Sequence, residues 1–207
     1  MDESWGIWKY WVKWNSKYFF VTFLITKNSR TSQIALRNTE KWIIRKWLKV
    51  TWEFHANKES DKVRMKLLEN SKWKDFIIVA CYVDQVRYQW ISSDPHLLYN
   101  NITSKLLKLC VDNNIFLKWE SVELIISRRE TNRFLNNQMI NQIRDSLEWI
   151  LDLKIRLAFS RQEKWLQHVD LFSYSIFQKY EFWNNKYYDM FWNNVKLIEE
   201  YKWHKTK

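Results

Sequence analysis

Glycine, proline and cysteine are nearly missing from this chain: its 207 residues include one Gly, one Pro and two Cys. Cys81 and Cys110 each stand alone, with no second cysteine at zinc-knuckle spacing. Neither a disulfide framework nor a cysteine metal site is expected, and a reducing cytoplasm suits the sequence. No stretch approaches the ~18 uninterrupted apolar residues of a membrane span, so no membrane association is expected. The opening Met1-Asp2-Glu3-Ser4 has neither the basic nor the apolar region of a signal peptide. A Gly-rich phosphate loop, a G-x-S-x-G elbow and an H-E-x-x-H pair are also missing, which removes support for those enzyme classes. His96, His168 and His204 lack ligand-spaced companions and read as surface or core histidines.

What is present is globular: 46% apolar and 28% charged residues. The length fits one domain spanning 1–207, enough to bury roughly 70% of the unfolded surface. A net charge of +11 favours a polyanion, and nucleic acid is the expected partner, because each neutralised phosphate releases counterions. The alternative is that the basic residues are solvated helix faces, since no single dense basic run exists.

Helix and strand signals alternate. Lys17 to Thr26 reads as a buried strand and Thr31 to Leu48 as a helix. Val50 to Phe54 is short and extended. Ser60 caps a helix through Asn70, with Asp61 in its first turn. Asp75 to Val83 is an apolar run typical of a strand covered on both faces. Asp94-Pro95 opens a long helix with Pro at its first position. A strand over Val122 to Ile126, a helix over Asn132 to Leu151 and a strand over Lys154 to Phe159 follow. Two helices, Lys164 to Phe182 and Asn184 to Tyr201, are expected to finish the chain and pack on the sheet. Interleaving of this kind predicts an α/β fold, a mixed central sheet flanked by helices.

Carboxylates that hold a divalent metal converge from separate elements. The candidates are Asp2 and Glu3 at the start, Glu53 after the extended piece, and Asp170 in a later helix. Gln167 and Asp170 share a helix face, and His55 lies on the same side of an extended segment as Glu53. Each signal is weak alone: an N-terminal acidic pair is commonly solvated, and an Asp among apolar residues is commonly a hydrogen-bond partner. Trp5, Trp8, Trp11 and Trp14 read either as a base-stacking platform or as an aromatic face.

At these residues the sequence resembles the domain-of-unknown-function 3800 family, predicted to have a ribonuclease H-like fold. The family opens with an apolar strand ending in Asp-Glu-Ser-Gly, then a Gly-containing loop and a second strand; here MDESWGIW and KYFFVTFLIT take those places. Glu53-Phe54-His55-Ala56 matches its middle motif. Ser160, Trp165-Leu166-Gln167 and Asp170 match its closing motif, and a Tyr-rich final helix is matched by Asn184 to Glu200. The resemblance is diffuse and spans nearly the whole chain. It implies a metal-dependent nuclease in which Asp2, Glu53 and Asp170 hold one or two Mg²⁺ or Mn²⁺ ions. Glu3 would stand beside them or as a further ligand, Gln167 would orient Asp170 or substrate, and His55 would shuttle a proton.

The chain departs from the family pattern in three places. Met1 abuts Asp2, leaving almost no opening strand and an expectation that the true start lies upstream. Ser127 stands where a strand leads into an Asp, and a hydroxyl cannot supply a carboxylate's charge, which weakens the metal site. Trp replaces Gly at Trp5, Trp8 and Trp165, while Trp73, Trp119 and Trp183 fall where elements turn and glycine is wanted. The 15 tryptophans and the single glycine together match the roughly 7% glycine of an average chain. The expectation is that most of these tryptophans are glycines in the source organism, whose UGA codons are read as glycine. Trp42, Trp47 and Trp149 fit this less well, because they fall inside predicted helices. The functional expectation is a metal-dependent nuclease or a degenerate derivative. The rivals are a non-catalytic nucleic-acid binder on the same fold and a protein-interaction module.

Overall fold

The computed structural model describes residues 2–4, 16–28, 30–48, 53–71, 75–88, 95–127 and 133–202. In chain order these form β1 (Asp2–Ser4), β2 (Tyr18–Ile25), α1 (Arg30–Arg45), α2 (Asp61–Ser71), β3 (Ile77–Asp84), α3 (Gln85–Tyr88) and α4 (Pro95–Asp112). There follow β4 (Ser121–Ser127), α5 (Arg133–Asp145), β5 (Asp152–Ala158), α6 (Lys164–Phe182) and β6 (Val195–Glu200). Trp5, Trp8, Trp11, Trp14, Trp73, His204 and most of Val50 to Phe54 lie outside the described residues.

The architecture is α/β, with a mixed sheet of order β1-β2-β3-β6 and a second pair, β4-β5. β2 pairs antiparallel with β1 on one side and β3 on the other, whereas β6 joins β3 in parallel and β5 joins β4 in parallel. Successive residues of β2 point to opposite faces, and both faces are covered. Phe19, Val21 and Phe23 pack with Val79 and Cys81 against α4, α5 and β4. Phe20, Ile78 and Ala80 pack against α1, α2 and α6. That double burial explains why β2 and β3 read as unbroken apolar runs rather than alternating ones. Between Phe23–Lys27 of β2 and its exit and Ser121–Ile125 of β4 lies a cavity of about 780 Å³.

Local chemistry sets several of the helix ends. Ser60 Oγ accepts the Val63 N–H at 3.4 Å, as an N-cap does, and Pro95 is the first residue of α4. α1 stops at Arg45, so Trp47 falls beyond the helix rather than within it. α5 ends at Asp145 and the chain turns through Ile150, leaving Trp149 in a turn as well. Trp42 remains inside α1.

The predicted terminal helix over Asn184 to Tyr201 does not form. Two 3-10 turns, Tyr188–Met190 and Trp192–Asn194, lead into β6. Asparagine side chains compete with helical hydrogen bonding here: Asn184 Oδ1 accepts the Lys186 N–H at 3.2 Å, and Asn194 Nδ2 donates to the Phe76 carbonyl at 2.9 Å. The Val195–Ile198 run then pairs with β3, a tertiary gain that local propensity does not report. So α6 packs on the sheet, and the segment after it extends the sheet. Among the described residues, no helix is long and apolar enough to cross a membrane.

Candidate functional site

Glu53 and His55 lie on the irregular segment 53–60, which precedes α2 and closes a turn on the His55 carbonyl but leaves the Phe54 and Ala56 N–H groups to partners elsewhere. α6 supplies them. Gln167 Oε1 accepts the Phe54 N–H at 3.2 Å, and one turn later Asp170 Oδ2 accepts the Ala56 N–H at 2.8 Å. Phe54, Ala56 and Gln167 are buried, so leaving either N–H unpaired would cost about 1–3 kcal/mol.

The same amide ties in the end of β5. Gln167 Nε2 donates to the Ser160 carbonyl at 2.7 Å, while Ser160 Oγ donates to Glu53 Oε1. His55 Nε2 stands 3.6 Å from that carboxylate oxygen, on the side expected from extended geometry. Arg64 of α2 clamps the segment from its other flank. It donates to the carbonyls of Ala56 at 2.7 Å and Glu59 at 2.5 Å and to the Tyr187 hydroxyl at 3.1 Å. Its guanidinium lies 5.0 Å from the Tyr174 ring centroid.

Asp170 is half-buried. Burial pushes its carboxyl above the usual carboxylate range and the nearby Glu53 charge adds to this, while the Ala56 N–H and His55 act in the opposite direction. Two carboxylates thus come together from positions far apart in sequence, a common feature of functional sites.

β1 brings the chain start to the same place. Asp2 pairs with Thr22 and Glu3 with Val21. Thr22 and Ser173 hydroxyls are 3.2 Å apart in a buried contact, and Ser173 is one turn along α6 from Asp170. The Asp2 backbone is therefore registered to the stretch of α6 that carries Asp170; the side chains of Asp2 and Glu3 lie outside the described residues. Ser127 ends β4 opposite Ala158, two residues before Ser160. It therefore sits at the strand ends that lead into the site.

Among the described residues, no group of three or more His, Cys, Asp and Glu is arranged to hold a metal. The donors that are described suit a hard cation, being carboxylate oxygens. Asp170 Oδ1 carries no hydrogen bond among the described residues. Sequence reasoning brought Glu53, His55, Gln167 and Asp170 together but missed Arg64 and the Thr22–Ser173 contact, which no spacing rule signals.

His168 is structural. It is fully buried, with Nδ1 2.6 Å from Ser32 Oγ and Nε2 2.6 Å from Ser71 Oγ. Burial lowers its pKa to about 3, so it stays neutral. His96 lies near the start of α4, exposed. Cys81 and Cys110 are free, buried thiols, each pushed up to about 12 by burial.

No protein-family model matches the chain, and comparison with the curated proteins finds no match.

Proposed function

We propose that this chain is a metal-dependent nuclease of ribonuclease H-like fold, or a derivative of one, acting on phosphodiesters of nucleic acid. The observation that supports it best is the meeting of Glu53 and Asp170 over a buried hydrogen-bond frame, with the Asp2 backbone registered to the next turn of α6. The order of elements agrees with this reading, since an antiparallel β1-β2-β3 meander is followed by the parallel strands β4 and β5, each reached through a helix.

Asp2, Glu53 and Asp170 are the residues that would hold Mg²⁺ or Mn²⁺, with Glu3 beside them. The ion would supply Lewis-acid stabilisation of charge developing on the phosphodiester. The chain's own residues divide the remaining work. Gln167 and Arg64 hold the Glu53 segment rigid, and burial keeps the Asp170 carboxylate short of hydration and hence responsive to a cation. His55 is positioned to accept a proton from water beside Glu53. The net charge of +11 favours a polyanionic substrate.

The test is cleavage of single- and double-stranded DNA and RNA with Mn²⁺. Cleavage that Asp170→Ala abolishes is expected; intact substrates with both proteins would overturn catalysis. A second reading, non-catalytic binding of nucleic acid, draws support from Ser127, which supplies a hydroxyl rather than a carboxylate at the end of β4, paired with Ala158. It predicts salt-sensitive binding that survives chelation, without cleavage.

A further inference from the structure

Four described residues other than glycine have positive φ: Trp47 at 54°, Asn114 at 56°, Trp119 at 65° and Trp183 at 58°. Asn is the ordinary non-glycine occupant of this left-handed region; an indole-bearing residue is not. Tryptophan supplies 15 of the 207 residues yet three of these four positions.

Each position is fixed by backbone hydrogen bonds of a kind that requires positive φ. After α1, the Leu48 N–H reaches the Ile43 carbonyl at 3.1 Å and the Trp47 N–H reaches Ile44 at 3.1 Å. That is the six-to-one and five-to-two pattern of a Schellman cap with Trp47 at the glycine position. After α4, Asn114 sits in the same pattern, with the Ile115 N–H on the Cys110 carbonyl at 2.8 Å. Trp119 is third in the turn Leu117–Glu120, closed by the Glu120 N–H on the Leu117 carbonyl at 3.1 Å, where a type II turn takes glycine. Trp183 ends α6, its N–H on the Gln178 carbonyl.

The indoles gain little burial to offset this. Trp47, Trp119 and Trp183 are 95%, 63% and 89% exposed, although tryptophan is on average a highly buried residue. The turns are built for the backbone freedom of glycine, and the side chains project into solvent.

We infer that positions 47, 119 and 183 carry glycine in the polypeptide as its source organism makes it, the tryptophans standing for a UGA codon decoded there as glycine. This does not depend on the nuclease reading, because all three turns lie outside the Glu53–Asp170 frame.

Peptide-level mass spectrometry of the protein isolated from its source is expected to find glycine at 47, 119 and 183; tryptophan there would overturn the inference. A second arm uses the 207-residue chain. Trp47→Gly, Trp119→Gly and Trp183→Gly should each raise the folding equilibrium constant over the matching alanine variant by about tenfold. Alanine removes the indole but keeps the Cβ, so the comparison isolates the backbone. Trp42→Gly, within helical backbone, should instead lose stability against Trp42→Ala. Glycine and alanine variants of equal stability at the three turns would also overturn the inference.

Discussion

Asp170 Oδ2 accepts the backbone N–H of Ala56 at 2.8 Å across 114 residues of sequence. The contact anchors the Glu53 segment to α6, yet burial makes the charge on Asp170 unfavourable. A carboxyl whose folded pKa lies above its unfolded value favours folding at low pH and opposes it increasingly as pH rises through the folded pKa. Asp170→Asn, with its carbonyl oxygen on Ala56 N–H, is therefore expected to raise the thermal midpoint at neutral pH. The same variant should lose any Mn²⁺-dependent cleavage, a trade of stability against function. A lower midpoint at pH 7 would show that the charge stabilises the site.

If the carboxylates hold a cation, Mn²⁺ should raise the thermal midpoint of the wild-type chain and leave Asp170→Asn unmoved. Ligand at a hundredfold over its dissociation constant contributes about 2.7 kcal/mol. Ser127→Asp adds a carboxylate at the end of β4 and should enlarge the Mn²⁺ shift. Equal midpoints with and without Mn²⁺ in all three proteins would remove the metal from the site.

Gln167 joins three parts of the chain through one buried amide: the Phe54 N–H, the Ser160 carbonyl and α6 itself. Gln167→Ala strands the buried Phe54 N–H, at a cost of about 1–3 kcal/mol, and frees the part-buried Ser160 carbonyl. Denaturant unfolding should register that loss, and hydrogen exchange should quicken at Phe54 and Ala56. Unchanged exchange there would mean that Asp170 and Arg64 hold the segment without Gln167.

His168 makes stability depend on pH in a known direction. The unfolded chain takes up a proton near pH 6.5, while the folded chain resists it down to about 3. The contribution is complete above pH 6.5 and is lost progressively as pH falls toward 3, at up to about 1.4 kcal/mol per unit. His168→Gln should flatten the slope of unfolding free energy between pH 6.5 and 5. An unchanged slope would place the dependence on other groups.

Adding glycine at positions 47, 119 and 183 together should be nearly additive, because the three turns close different elements. The triple variant is expected to unfold at higher denaturant than any single one, read by circular dichroism. A triple variant no more stable than the best single variant would show coupling between the turns.

Sequence alone determined the elements whose cause is local. Apolar runs covered on two faces gave β2 and β3, Ser60 and Pro95 opened their helices, and α6 keeps the bounds Lys164–Phe182 that its pattern implies. The pairing of Gln167 with Asp170 on one helix face, and of Glu53 with His55 on one side of a segment, follows from backbone periods of 3.6 and 2. Tertiary structure decided what those periods cannot carry. Val195–Glu200 became a strand because β3 offered an unpaired edge, and Glu53 met Asp170 because α6 supplies the hydrogen bonds that segment 53–60 lacks. It also moved Trp47 out of a helix and into a left-handed turn, since where a helix stops depends on which carbonyls the next residues can reach.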